Sequence, residues 1–576
     1  MVYNSSVNSA TSKERIPFIA AIFILLTFSA LARLFYLQVL HYSDYKAVAA
    51  AQHSLKDTIP AKRGQIFAYD TISNTPFLLA SSETLNLVYI NPKEIDDKEN
   101  TLTTLSGIIG ISKDDLEPKC DPSQVYVILK HKLSKDESDK ITAANLKGVY
   151  LQPENWRFYP ENSLAASLLG YVDNSGEGNY GIEQHFNDIL KGQDGHLNEE
   201  TDAGGVKIAF GTDGSTPAVN GSDVYLTIDR YIQGEAEKVL DDTVSKYSAD
   251  GGSVIVMDKT TGRILAMANA PTFDPNKYTD VKDYSVFKNK AATDLYEPGS
   301  IFKAVTMSSG LDSGKITPAT TFTDYGYVVV DGTKISNALP KVYGVSTMSF
   351  ILEQSLNTGT TFIEQTMGKS IFYNYIKKFG FGKTTGTEFD GETGGIVNKP
   401  DDVDDHTYAT MSFGQSISVT PLQMIQAYAT IANGGKMMQP NIIDKTVDAN
   451  GKVTKTANKV VGTPISEKTA SEVTQMLINT VDKGEGHQAA VKGYKIAGKT
   501  GTAQVVKADG TGYEANKNIG SFIGYPVADG ANFVVMSKID NPKGVQWAES
   551  TAAPVVGTML DFLLKYYQIP PTESVN

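Results

Sequence analysis

The feature that most constrains this chain is an uncharged apolar run near its start, Ile16 to Ala32, which continues past Arg33 through Leu34–Leu40. A membrane-crossing helix needs about 20 mainly apolar residues. The run is longer than the apolar core of a cleaved secretion signal, and no small-residue cleavage pattern follows it. Arg33 stands near the far end, where a long cation snorkels to the interface. Tyr36, Tyr42 and Tyr45 suit an interfacial aromatic belt. The sequence therefore predicts a retained span over 16–40; an uncleaved signal or a buried core helix fits the length and flanks less well. Lys13 and Arg15 favour a cytoplasmic tail over 1–15. Everything after residue 41 is then expected outside the cytoplasm, where ATP-dependent chemistry is not supplied.

The 576 residues suggest about three or four domains. A net charge of −13 argues against a nucleic-acid partner, because phosphate binding needs a basic surface. The single cysteine, Cys120, forbids an intramolecular disulfide and removes zinc sites built on thiolate pairs. The seven histidines are scattered without the HExxH spacing of a metallohydrolase. A metallohydrolase is therefore not expected.

Residues 41–220 read as many short elements, including a strand at Val125–Leu129 and a loop from Asp173 to Tyr180. The glycine-rich stretch Asn198–Gly221 reads as a connection between domains. From there the pattern tightens. Thr227-Ile228-Asp229 opens a helix with Ile232, Ala236, Val239 and Leu240 on one face. Ser253–Met257 and Arg263–Met267 flank a Thr260-Thr261-Gly262 turn, a hairpin signal. Thr420-Pro421-Leu422-Gln423 is a capping-box start whose helix should stop at Gly434-Gly435. Asn532–Met536 reads as a strand and Val555–Tyr567 as a closing helix. These features predict one α/β (α+β) sheet between helical layers. The expected segments are a tail over 1–15, a span over 16–40, a mixed pedestal over 41–220, a catalytic domain over 221–568 and a tail over 569–576.

Three short motifs carry the chemistry. Glu297-Pro298-Gly299 leads into Ser300-Ile301-Phe302-Lys303, a turn entering a helix. Residues three apart share a helix face, so Lys303 can take the proton that keeps the Ser300 hydroxyl unreactive. A lysine among apolar groups and other cations has a lowered pKa and can act as a base. In Ser355-Leu356-Asn357, a hydroxyl can relay a proton to the leaving group while the amide orients substrate. In Lys499-Thr500-Gly501-Thr502, Thr500 and Thr502 share a strand face and offer hydroxyls to a carboxylate, with Gly501 allowing close backbone approach. The N–H groups of Thr502 and Ser300 would form an oxyanion hole. Simple alternation aims Lys499 away, so it would have to reach around the strand. Each motif alone is common and also fits a capped helix, a helix end or an ordinary strand. The ordered trio is specific.

With these motifs the chain resembles the class B penicillin-binding proteins. Further resemblance lies in Arg63-Gly64-Gln65-Ile66, Arg157-Phe158-Tyr159-Pro160, Leu169-Gly170-Tyr171, Gly181-Ile182-Glu183, Leu226–Asp229, Ala270–Asn276, Phe413-Gly414-Gln415 and Thr420–Gln423. Two departures are Phe67–Thr71, where the family often has Asp-Arg-Asn-Gly, and the bulky Leu356. The resemblance implies a single-pass membrane protein with an extracytoplasmic, dimerisation-type pedestal and a penicillin-binding transpeptidase domain. It implies a peptidoglycan D,D-transpeptidase that cross-links stem peptides through a Ser300 acyl-enzyme, needs no metal or organic cofactor and is acylated by β-lactams. The layout is most similar to the septal cell-division member. An elongation-type enzyme, a D,D-carboxypeptidase, a slow β-lactamase, and a non-catalytic scaffold or β-lactam sensor are the alternatives. A polytopic membrane glycosyltransferase and division or elongation proteins are the implied partners. Glu353-Gln354-Ser355-Leu356-Asn357 imitates the deacylating segment of class A β-lactamases but overlaps the Ser355–Asn357 motif, so Glu353 is expected to be a solvated helix charge.

Overall fold

The computed structural model describes residues 11–42, 45, 54–73, 75–200, 215–507 and 512–573. Most of the predicted tail before residue 11, the core of the Asn198–Gly221 connection and the last three residues lie outside these. Two compact units emerge: one takes the chain through Ala61 together with Gln193–Val219, the other takes Lys62–Gly192 and Asn220–Asn576.

In the first unit, a helix spans Thr11–Phe35 and widens into a π-turn over Tyr36–Leu40. Ile16–Leu40 has a mean hydropathy of 2.3 and none of it is buried inside the protein. Phe18, Phe23, Leu25 and Phe28 are all exposed. An apolar helix without protein cover is consistent with a single-pass lipid anchor, since in lipid every backbone group must be paired within the helix. Thr27 Oγ1 follows the same logic and donates to Phe23 O at 2.8 Å. The predicted connection is not all loop, because Gly195–Glu200 pairs antiparallel with Ser54–Ile59. Its strand character was masked by glycine and charge.

The second unit contains two large sheets. One orders Val453–Lys455, Ile443–Val447, Asp223–Asp229, Ile66–Asp70, Thr75–Ile90 and Val127–Leu133, with Val149–Phe158 also on Thr75–Ile90. Asp223–Asp229 runs parallel to Ile66–Asp70 and antiparallel to Ile443–Val447. Residues on both sides of position 220 thus share one hydrogen-bonded sheet. Beyond it, Val88, Ile90, Leu102, Leu105, Leu129 and Ile141 form a separate core between strands and helices.

The other sheet is five-stranded and antiparallel, ordered Ile264–Ala270, Gly251–Asp258, Phe533–Asp540, Tyr513–Pro526 and Ile496–Val506. Its strands alternate as a sheet buried on both faces must. Val254, Val256 and Val535 join Ile232, Leu240, Val556 and Leu560 from helices Arg230–Lys246 and Ala552–Tyr566. Ile255, Met257, Val534 and Met536 join the opposite core, with Met307, Ile425 and Leu477 of three further helices. The predicted α/β layering is therefore present. Thr227–Asp229 ends a strand rather than opening a helix; Asp229 caps the following helix by accepting from Tyr231 N and Ile232 N. The capping box at Thr420 forms with both reciprocal bonds, and its helix, Pro421–Ala432, ends just before Gly434.

Three of the family-like motifs, those of Arg63, Arg157 and Glu183, converge on one another. Glu183 is fully buried between Arg63 and Arg157, with N–O distances of 2.8 and 2.6 Å, and Tyr159 donates to it at 3.2 Å. Arg157 also donates to Gly64 O at 2.6 Å, and Arg63 donates to Asn187 Oδ1 at 2.9 Å. Three segments distant in sequence are thus tied by one buried charge network. Its value depends on every member being present.

Candidate active site

Ser300 stands in a 3₁₀ turn, Gly299–Phe302, that runs directly into the helix Lys303–Asp312. That helix is buried from Lys303 to Leu311. A helix covered on all sides must be apolar or self-satisfied. Here Ser308 and Ser309 donate back to Ala304 O and Val305 O, and Thr306 donates to Ser412 O. Tyr428 holds the turn by donating to Ile301 O at 2.7 Å. The serine therefore sits on a rigid mount, as a reacting group must.

Lys303 is fully buried. Its Nζ donates to Ser355 O, to Ser355 Oγ at 3.3 Å and to Asn357 Oδ1 at 2.7 Å. Burial, and then the neighbouring Lys499 cation, hold its pKa well below the ordinary lysine value, while Glu485 pulls the other way. Ser355 occupies the left-handed region at φ 53° between the helices Met348–Glu353 and Asn357–Met367. A non-glycine residue held there stores strain of about 1–3 kcal/mol. The kink turns its carbonyl and hydroxyl toward Lys303. Asn357 begins the second helix and donates from Nδ2 to Ser336 O at 2.9 Å, which fixes the amide oxygen toward Lys303.

Ile496–Val506 is the edge strand of the five-stranded sheet. Thr500, Thr502 and Ser300 line one cleft of about 820 Å³ with Ser355, Asn357, Phe413, Gln415, Glu485 and Trp547. Thr502 Oγ1 accepts from Ala548 N at 3.1 Å, so its own proton remains to be donated. A Cβ on Gly299 would lie 3.0 Å from Thr502 O, so that carbonyl points across the cleft rather than into the sheet. In an antiparallel strand the N–H of a residue points to the same side as its C=O. The Thr502 N–H therefore faces the Ser300 turn.

Gly501 permits that approach. A Cβ there would fall 2.7 Å from Ser521 Oγ and 2.9 Å from Pro298 O. Gly501→Ala is expected to push the strand off the serine turn. A misplacement of about 1 Å costs on the order of 10²-fold in rate. Acylation rate by a penicillin, read beside the melting temperature of the same variant, checks this. Gly414 plays a matching part: it has φ 82°, accepts from Gly299 N at 2.9 Å, and a Cβ there would meet Gly299 O at 2.2 Å.

Lys499 does reach around the strand. It is fully buried, and its Nζ donates to Thr500 O at 3.2 Å and Thr500 Oγ1 at 3.1 Å. Burial lowers its pKa, and Glu485 partly restores it. All eight residues singled out from sequence, Ser300, Lys303, Ser355, Asn357, Lys499, Thr500, Gly501 and Thr502, thus gather around one cleft. Glu353 is half-buried rather than solvated: it accepts from Ser349 Oγ at 2.6 Å and does not line the cleft. Sequence reasoning missed Glu485, Gln415 and Trp547. Gln415 lay inside a quoted motif, and Glu485 was marked only by its flanking glycines.

Comparison with known proteins agrees with this architecture. Residues 252–561 match the family described as penicillin binding protein transpeptidase domain, and residues 58–226 match the penicillin-binding protein dimerisation domain. The chain is 32% identical to Stage V sporulation protein D of Bacillus subtilis, over 99% of this chain and 88% of that one. It is 29% identical to a peptidoglycan D,D-transpeptidase FtsI homolog of Mesostigma viride, over 94% of each chain. Among solved structures, a peptidoglycan synthetase from Bifidobacterium adolescentis superposes with a TM-score of 0.73 at 30% identity, covering 91% of this chain and 98% of the other. Penicillin-binding protein 3 of Mycobacterium tuberculosis, in complex with aztreonam, gives 0.70 at 27% identity, covering 90% and 99%. A transpeptidase-domain match over more than half the chain, a dimerisation domain before it and full-length relatives of the same build place this chain in the class B penicillin-binding protein family.

Proposed function

We propose that this protein is a serine-type peptidoglycan D,D-transpeptidase and a β-lactam target, with Ser300 as the acylated nucleophile. The observation that carries the residue assignment is the buried Lys303 amine, one helical turn along the chain from Ser300 and held by Ser355 and Asn357, with its pKa driven down. As a neutral amine it has two N–H groups for Ser355 O and Asn357 Oδ1, and a lone pair for the Ser300 proton. Ser300 Oγ attacks the penultimate D-alanine carbonyl, and the N–H groups of Ser300 and Thr502 stabilise the oxyanion. The C–N bond breaks, and the departing D-alanine nitrogen takes a proton relayed through Ser355 from Lys303. Thr500, Thr502 and Lys499 hold the terminal carboxylate. An acceptor amine then attacks the ester, forms the cross-link and returns the proton to Ser300.

The test is intact mass and peptide mapping of the full-length protein after exposure to a penicillin. A stable adduct on Ser300, absent in Ser300→Ala, is expected; rapid drug turnover or an adduct elsewhere would defeat the assignment.

The apolar helix supports a single-pass protein with its N-terminus in the cytoplasm and the catalytic domain outside. A polytopic membrane glycosyltransferase and division-complex proteins are the proposed partners. The FtsI homolog among the relatives supports a septal role. The sporulation relative, 32% identical over nearly the whole chain, supports a second reading in which the enzyme serves a wall made during sporulation. A fluorescent fusion followed through division and through sporulation separates the two.

A further inference from the structure

Glu485 enters the cleft where the proposed function puts the substrate's terminal carboxylate. It lines the cleft, its side chain is 38% exposed, and its Oε2 lies 3.8 Å from Lys499 Nζ. Thr500 Oγ1 donates to the same oxygen at 3.4 Å. Among the described residues, Glu485 is the only acidic side chain paired with the buried Lys499. Two of the three groups assigned to hold an incoming carboxylate, Lys499 and Thr500, therefore already hold one.

The backbone around Glu485 is fixed. Glu485 N donates to Glu353 O at 3.3 Å, while Gly484 N and Gly486 N both donate to Thr480 O at 3.1 Å. A Cβ on Gly484 would come 2.3 Å from Glu353 O. The loop cannot withdraw easily, but a side chain more than a third exposed can rotate into solvent.

We infer that Glu485 is a resident carboxylate, a specificity-determining group that occupies the Lys499–Thr500 anion site in the empty enzyme and that an anionic substrate or β-lactam must displace. This rests on the transpeptidase reading above. Two carboxylates on one ammonium repel each other, so a ligand recognised by its negative end loses binding energy that a neutral ligand keeps. Glu485 thereby raises the threshold for ligands whose recognition rests on a carboxylate alone. It favours donors with enough further contact along the cleft to force the exchange.

The experiment uses full-length, detergent-solubilised protein and two probes, benzylpenicillin and its uncharged methyl ester. The quantity read is the ratio of their second-order acylation constants. A ratio cancels any change in Lys303 basicity, which acts on both probes alike. Glu485→Gln and Glu485→Ala are expected to raise the ratio about tenfold, equivalent to ~1.4 kcal/mol of differential binding. A ratio unchanged within about twofold, or lowered, overturns the inference and makes Glu485 a support for the Lys499 charge. If an adduct forms on Ser300 in every form while the ratio stays fixed, only the role of Glu485 falls. If no form acquires an adduct, the transpeptidase reading falls and takes this inference with it.

Discussion

Lys303→Ala is expected to lower the acylation rate of the full-length protein by a penicillin by about 10²–10⁴-fold, the range that a positioned general base contributes. The reason is geometric. The Lys303 amine is fully buried, bonded to Ser355 and Asn357, and one helical turn from the nucleophile. The wild-type pH profile gives the complementary result. A base works unprotonated, and burial with the Lys499 cation lowers the pH at which Lys303 loses its proton. Acylation should therefore rise with pH through a limb well below the ordinary lysine value of 10.5. Lys499 works as a cation, and its pKa is lowered as well. Deprotonation of Lys499 should produce a falling limb on the alkaline side for carboxylate ligands. Stopped-flow acylation across pH, with Lys303→Ala and wild type side by side, checks both. A profile with its rising limb at or above 10.5 would remove Lys303 from the role of base.

The second large effect is on stability. Glu183→Ala leaves the Arg63 and Arg157 guanidinium groups buried without their shared carboxylate. Breaking a buried ion pair from one side costs about 3–5 kcal/mol, because the remaining charge keeps its desolvation penalty. Two cations facing each other add repulsion. Glu183→Gln retains the shape and one acceptor oxygen, and should fall between the variant and wild type. Urea unfolding of the full-length protein reads the loss. Acylation per folded molecule should stay unchanged, since the network lies outside the cleft. A loss of stability no larger than that of a surface substitution, about 0.5 kcal/mol, would show that the network is not what joins these segments.

Much of this was legible from local signals. The Thr260-Thr261-Gly262 turn, closed by Thr260 N and Thr261 N donating to Asp258, and the reciprocal Thr420–Gln423 box each form from contacts within a few residues. Where local signals failed, tertiary context was responsible. Asp229 reads as a helix start and does cap one, but Thr227 and Ile228 before it are drawn into a sheet by partners at Ile66–Asp70 and Ile443–Val447. Gly195–Glu200 has no strand pattern of its own and is a strand because Ser54–Ile59 pairs with it.

The sequence by itself determined the long apolar helix near the N-terminus, the sheet-and-helix alternation and the three motifs, because each depends on residue type and short-range spacing. Only the tertiary structure decided that Lys499 curls onto Thr500, that Thr502 turns its backbone to Ser300, that Arg63, Arg157 and Glu183 meet, and that Glu485 stands beside Lys499 and Thr500. Most of those facts are distances between groups far apart along the chain. No periodicity along a chain encodes such distances; close packing of the folded core sets them.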